Sequence, residues 1–118
     1  MVIDSQAARL VKSANKGSMF GLSVGIVNAP MFLASDVGHA LSDGLYDVGI
    51  CWVVRQDGMV AFGLRSCGDV DVCAIAKKFG GGGHKNSAGF EQEFFEGMSL
   101  IRTIIGKNGY GAHQWDLK

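Results

Sequence analysis

Two apolar runs, residues 47–56 and 59–66, flank Asp57-Gly58. That dipeptide suits the tight turn of a β-hairpin, and reading it as a two-residue loop fixes which positions lie opposite each other. The resulting register pairs Val54 with Ala61, Trp52 with Gly63 and Ile50 with Arg65, and sends Cys51, Val53, Phe62 and Leu64 to the other face. Gly63 leaves room for the Trp52 indole. Both faces of this hairpin are apolar, so helices are expected over at least one side and another domain over the other.

The flanking segments supply the helices. Ala7, Leu10, Val11 and Ala14 predict an amphipathic helix over 5–16, ended by Gly17 and Ser18. The run LSVGIVN at 22–28, closed by Pro30, predicts a buried strand. Ser35 or Asp36 can cap a second helix through Asp43, with Val37, Ala40 and Leu41 inward and Gly44 as the stop. Asp69 can cap a third, in which Val72, Ile75, Ala76 and Phe79 share a face and Gly80 is the C′ residue. A short strand from Ser87 to Glu93 and a helix near 97–106, burying Met98, Ile101 and Ile105, complete the pattern. Trp115 is the expected anchor of the tail. The fold class is α/β (α+β): one small domain with a mixed sheet of four to five strands, a central hairpin, and helices packed on it.

Bulk properties narrow the function. A chain of 118 residues that is 47% hydrophobic and 19% charged is one ordered domain. Eleven basic and eleven acidic residues cancel, which excludes a broad polyanion-binding face and leaves only local contacts to a phosphate. No apolar run approaches the roughly 18 residues that span a bilayer, and no signal-peptide core opens the chain; no membrane is implied, and a cytoplasmic location is expected. Cys51, Cys67 and Cys73 are odd in number without a C-x-x-C pair, so they are expected to be reduced and largely buried. Cys67, Cys73 and His84 match no common zinc-ligand spacing.

The costliest stretch to order is FGGGGHKNSAGF at 79–90. It lies inside one domain, between a helix and a strand, where a flexible linker has no place. Two readings remain at this level. Successive glycines can turn backbone N–H groups into one anion-binding concavity, with His84 and Lys85 as edge donors. Alternatively, they make a tight structural turn. A Walker loop is excluded, because the G-x-x-x-x-G-K-[ST] spacing is missing.

Gly81-Gly82-Gly83-His84, two residues, then Ser87-Ala88-Gly89 resembles the Gly-Gly-Gly-His-x-x-Ala-Ala-Gly signature of the DHH-associated C-terminal domain. This is the substrate-binding half of the DHH phosphoesterases, which include RecJ-type exonucleases, oligoribonuclease-like enzymes and cyclic-dinucleotide phosphodiesterases. Leu64-Arg65-Ser66, Asp71-Val72, Ile75-Ala76 and Phe79-Gly80 extend the similarity, which covers roughly residues 20–95. Ser87 departs from the usual alanine. The resemblance implies that Gly81, Gly82, Gly83 and His84 hold a substrate phosphate, with Arg65, Ser66 and Lys85 beside them. It also implies a nucleotide or short single-stranded oligonucleotide as partner, residues 1–20 as a connecting helix to an absent N-terminal domain, and 21–118 as the substrate-binding domain.

The family's divalent metals (Mn2+ or Mg2+) belong to the catalytic DHH domain, and no Asp-His-His triplet occurs here. No cofactor is therefore expected on this chain, nor a catalytic residue. Asp69 and Asp71 are explained by a helix start, and His39 and His113 by surface positions. Strand edges exposed without that domain make a homodimer an expectation. The alternative is a freestanding, non-catalytic RNA- or nucleotide-binding or protein-interaction module, as a related domain fused to alanyl-tRNA synthetases suggests.

Overall fold

The structure, a computed structural model, describes residues 5–111 and 117. The chain runs from α1 (Ser5–Ser13) through β1 (Asn15–Met19) and β2 (Leu22–Asn28) into a 3-10 turn (Met31–Leu33) and α2 (Ala34–Ser42). The hairpin strands β3 (Val48–Val54) and β4 (Val60–Arg65) follow, then α3 (Val72–Lys78), β5 (Gly82–His84), β6 (Ser87–Gln92) and α4 (Phe94–Ile105). Six strands form one mixed sheet in the order β1-β2-β3-β4-β6-β5. The β2–β3 pair is parallel, with α2 in the crossover, and the other pairs are antiparallel.

The hairpin forms one residue away from the expected register. Val54 faces Val60, Trp52 faces Phe62, Ile50 faces Leu64, and Gly49 faces Arg65. The turn is longer than two residues: Arg55 N–H donates to Met59 O (2.8 Å) and Gly58 N–H to Arg55 O (2.9 Å), with Gly58 at φ +87. A type I turn closed by a left-handed glycine adds one residue to the loop. That one-residue slip moves each β4 side chain to the other face relative to β3. Phe62 and Leu64 therefore join Ile50, and Arg65 joins Gly49 and Cys51.

The sheet has six strands where four to five were expected, and two of them lie outside the strands located from the sequence. NKGSM (β1) and GGH (β5) lack any alternation of apolar residues. They are the outer strands, ordered by the neighbours they pair with. The first helix accordingly stops at Ser13, and Gly17 and Ser18 lie in β1 rather than in a helix end.

Helices lie on both faces, so this chain itself supplies the cover expected from another domain. On one face, Ile75 and Ala76 of α3 and Leu100 and Ile104 of α4 bury Val24, Ile50, Phe62, Leu64 and Phe90. On the other, Ala7 of α1 and Val37 and Leu41 of α2 bury Val27 and Cys51. Gly38 and Gly49 let α2 approach closely: a Cβ on Gly49 would overlap the Gly38 carbonyl oxygen and sit 2.9 Å from Leu41 Cβ.

Helix starts differ from expectation by a few residues. The 3-10 turn makes Leu33 the N-cap of α2, without a side-chain cap bond, so Ser35 and Asp36 fall inside the first turn. Asp71, not Asp69, caps α3 by accepting from Ala74 N–H (3.1 Å). In α4 the buried stripe is Gly97, Leu100, Ile101 and Ile104, whereas Ile105 is exposed and Met98 only partly buried. His113 and Trp115 lie outside the described residues. No helix among the described residues is long and apolar enough to cross a membrane.

Candidate functional site

Gly80, at φ +84, closes α3: its N–H donates to Lys77 O (3.1 Å) and Gly81 N–H to Ala76 O (2.9 Å). Those two bonds are the Schellman pattern that satisfies the last helical carbonyls. The chain then turns straight into β5, which pairs with β6 as Gly82–Gly89, Gly83–Ala88 and His84–Ser87. The glycine run is thus a helix end followed by a hairpin strand. Beneath it, Phe90 stacks on Phe79 and on Phe62, each pair with centroids 4.7 Å apart, tying α3, β6 and β4 together.

The four glycines have different reasons. A Cβ on Gly81 would overlap the Gly89 carbonyl oxygen and lie 2.5 Å from Phe90 Cβ. One on Gly83, at φ +142, would lie 2.6 Å from Ala88 Cα and Ser87 O. Both positions therefore require glycine for close approach of β5 to β6. At Gly82 a Cβ would meet nothing within 4 Å. The fold does not explain that glycine.

Alternation along the strands puts Gly82, Gly89 and Gly63 on one face, in one row across β5, β6 and β4. The next row on that face is His84, Ser87 and Arg65. It is the face that α2 occupies. However, α2 packs over β3 and β4, whereas α3 holds β5 and β6 from behind. The outcome is a shallow trough floored by glycine and walled by α2. Arg65 leans along this wall: its Cγ lies 2.6 Å from where a Gly38 Cβ would be, and its Nη1 donates to Leu64 O (2.9 Å). Among the described residues Arg65 has no carboxylate partner.

A cleft of about 600 Å³ opens at that end. Arg65, Ser66, Asn86 and Ser87 line it from the sheet side, and Ser35, Asp36 and His39 from α2. Its size suits a small ligand. His84 is exposed in the same row as Arg65 but is not part of the cleft lining. Lys85 points to Asp69 instead, at 3.5 Å, in an exposed pair of little energetic weight. Ser66 is 5% exposed; its hydroxyl donates to Val70 O (2.6 Å) and accepts from Asn86 Nδ2 (2.9 Å).

Asn86, Asp36 and His39 are among the cleft residues that sequence reasoning did not select as site residues. Asn86 occupies an unassigned position of the glycine signature, yet its amide holds the site together. It donates to Ser66 Oγ, Gly68 O (3.2 Å) and Val70 O (3.2 Å), while its backbone carbonyl accepts from Ser66 N–H (3.1 Å). Replacing Asn86 with alanine removes the amide shared by Ser66 Oγ, Gly68 O and Val70 O, acceptors that are part-buried or exposed, and is expected to cost about 1 kcal/mol, read as a lower melting temperature. Asn86→Asp should be no better, since a carboxylate cannot donate.

Cys51 sits under the same wall. Burial pushes its thiol from the ordinary 9.0 up to about 11, with the Arg65 charge pulling the other way. Its protonated form is thus favoured by folding, a contribution complete below pH 9.0, where the unfolded thiol is also protonated. Stability falls as pH rises through about 11. Against expectation, Cys67 is exposed and Cys73 only half-buried. Thiol labelling near neutral pH should modify Cys67 rapidly and Cys51 only on unfolding; rapid labelling of all three would contradict this burial. Among the described residues, no group of three or more His, Cys, Asp or Glu is placed to hold a metal ion.

No family model matches the chain, and no curated protein does. Solved structures do. A pGpG-specific phosphodiesterase, PggH, from Vibrio cholerae superposes with a TM-score of 0.58 at 12% identity, over 86% of this chain and 37% of that one. An exopolyphosphatase-related protein from Bacteroides fragilis gives 0.51 at 18% identity, over 91% of this chain and 36% of that one. The chain thus spans little more than a third of either neighbour. What it has in common with both is the fold of a domain found within a phosphodiesterase and an exopolyphosphatase-related protein.

Proposed function

We propose that this chain is the substrate-recognition domain of a DHH-type phosphoesterase and binds the phosphate of a nucleotide or short oligonucleotide. The observation that carries this reading is the glycine-floored trough, with Arg65 and His84 in one row at its rim. Those two residues stand two strand spacings apart, about 10 Å between backbones. Ser87 lies between them on β6, and a phosphate held there would be within reach of both strands. The glycines give that phosphate backbone-close access, and Arg65 adds a charge-assisted contact in a partly desolvated wall. The fold likeness to a phosphodiesterase whose name specifies pGpG supports a short nucleotide as ligand. Ser66 and Asn86 act by fixing the loop, and Lys85 contributes a nearby positive charge. Metal-dependent hydrolysis, in this reading, is the work of a DHH domain beside it.

The test is calorimetric binding of a 5′-phosphorylated dinucleotide to the chain and to Arg65→Met and His84→Ala. Methionine keeps the apolar stem that packs on Gly38 and removes the charge. Arg65→Met should lose roughly tenfold or more in affinity with the melting temperature retained, and His84→Ala should lose less. Salt dependence should correspond to roughly one or two phosphates. Affinity unchanged in both variants would rule out the phosphate site.

A further inference from the structure

Gly63 is the buried member of the glycine row, and three groups cover it. A Cβ there would lie 3.5 Å from Ala34 Cβ, 3.8 Å from Met31 Sδ and 3.9 Å from Arg65 Nη1. The thioether and the guanidinium thus rest over the same floor residue. Nη1 is anchored on Leu64 O (2.9 Å), and the other guanidinium nitrogens make no hydrogen bond among the described residues. Those nitrogens are the donors left for a phosphate.

Met31 remains 39% exposed although its sulfur reaches the sheet, so part of its side chain is open wall. Its turn is held in place: Leu33 N–H donates to Pro30 O (2.9 Å) and Ala29 N–H to Trp52 O (3.0 Å). The surroundings of Arg65 therefore differ by direction. Along the cleft stand Ser35, Asp36 and His39, all polar. Over Gly63 stand Met31 and Ala34, both apolar. Phe32 lines a separate groove with Leu10 and Pro30. An inorganic phosphate chain gains nothing from a thioether beside its cation. The flat face of a nucleobase does, because sulfur makes favourable contacts with aromatic rings. We infer that Met31 is the base-contacting residue of this site, making its ligand a nucleoside phosphate rather than a sugar phosphate or a polyphosphate. The inference rests on the phosphate-binding reading above and deepens it by naming the residue that recognises the base.

The experiment titrates the full chain with adenosine 5′-monophosphate and with ribose 5-phosphate, which differ only by the base. The wild type should bind the nucleotide about fivefold more tightly. Met31→Gln should lose that preference while binding ribose 5-phosphate as the wild type does. Met31→Leu keeps an apolar side chain of similar volume and should retain part of the preference. Loss at one ligand but not the other cannot arise from a damaged fold. A wild type that ignores the base, or a Met31→Gln variant that keeps the preference, overturns the inference alone, provided Arg65→Met still weakens both ligands. Equal weakening of both ligands by Met31→Gln also overturns it, since Met31 would then only hold Arg65 in place. Binding that is absent, or indifferent to Arg65→Met, overturns the phosphate reading and the inference together.

Discussion

Gly82→Ala is expected to leave the melting temperature unchanged or slightly raised and to weaken the proposed nucleotide binding, while Gly81→Ala one residue earlier is expected to unfold the domain at a markedly lower temperature. Neighbouring glycines behave so differently because their absent side chains point into different surroundings. A methyl at Gly82 projects from the trough floor and meets no protein atom within 4 Å. Its backbone is not in the left-handed region, so alanine costs no strain and restricts the unfolded chain, a gain of about 0.4–1 kcal/mol. The same methyl occupies the space that a phosphate needs, and affinity should drop at least about tenfold. At Gly81 the methyl drives into the Gly89 carbonyl and Phe90. It must push β5 off β6 or displace the stacked phenylalanines, an overpacking cost of about 1–3 kcal/mol. Thermal melts and dinucleotide titration on both variants test this. A large stability loss in Gly82→Ala with binding retained would make the run a structural turn throughout.

The second large effect is expected far from the glycine run, at Gly49→Ala. Gly49 is buried in β3 beneath α2, and its new Cβ would overlap the Gly38 carbonyl oxygen and crowd Leu41 Cβ at 2.9 Å. Both obstacles are fixed, one by the helix backbone and the other by the core. Helix α2 must therefore lift, exposing Val37, Leu41 and Cys51, all buried in the wild type. A cost of about 3 kcal/mol, the upper end for overpacking, should lower the melting temperature by roughly 10 °C or more. Because α2 forms the wall that positions Arg65, Asp36 and His39, ligand affinity should fall even at temperatures where the variant is folded. A Gly49→Ala protein with wild-type melting and binding would show that α2 is not held at this contact.

Much of the architecture was legible in the residues. The LSVGIVN run, the apolar hairpin, the Val72-Ile75-Ala76 stripe and the Gly80 stop each state a local preference that the fold keeps. The hairpin register was not legible, because Asp57-Gly58 serves a two-residue turn and a longer bulged turn equally well. Only the packing of Phe62 and Leu64 with Ile50 against α3 and α4 selects between them. That choice moved Arg65 to the trough face. Strands β1 and β5 were invisible for a related reason: NKGSM and GGH have no pattern of their own and become strands through pairing with β2 and β6.

The sequence by itself determined the spacing of the glycines, His84 and Arg65 and their resemblance to a phosphate-binding signature, since types and spacing are properties of the linear chain. Only the tertiary structure decided what each one does. Gly80 ends a helix at a positive φ, Gly81 and Gly83 admit a neighbouring strand, and Gly82 alone among the four faces open space at an ordinary φ. Asp36, His39 and Asn86 join Arg65 in one cleft although they lie 29, 26 and 21 positions from it in the sequence. Local propensity acts over a few residues, whereas a cleft is made where α2 crosses the sheet, and that crossing is set by how closely two glycines let backbones approach.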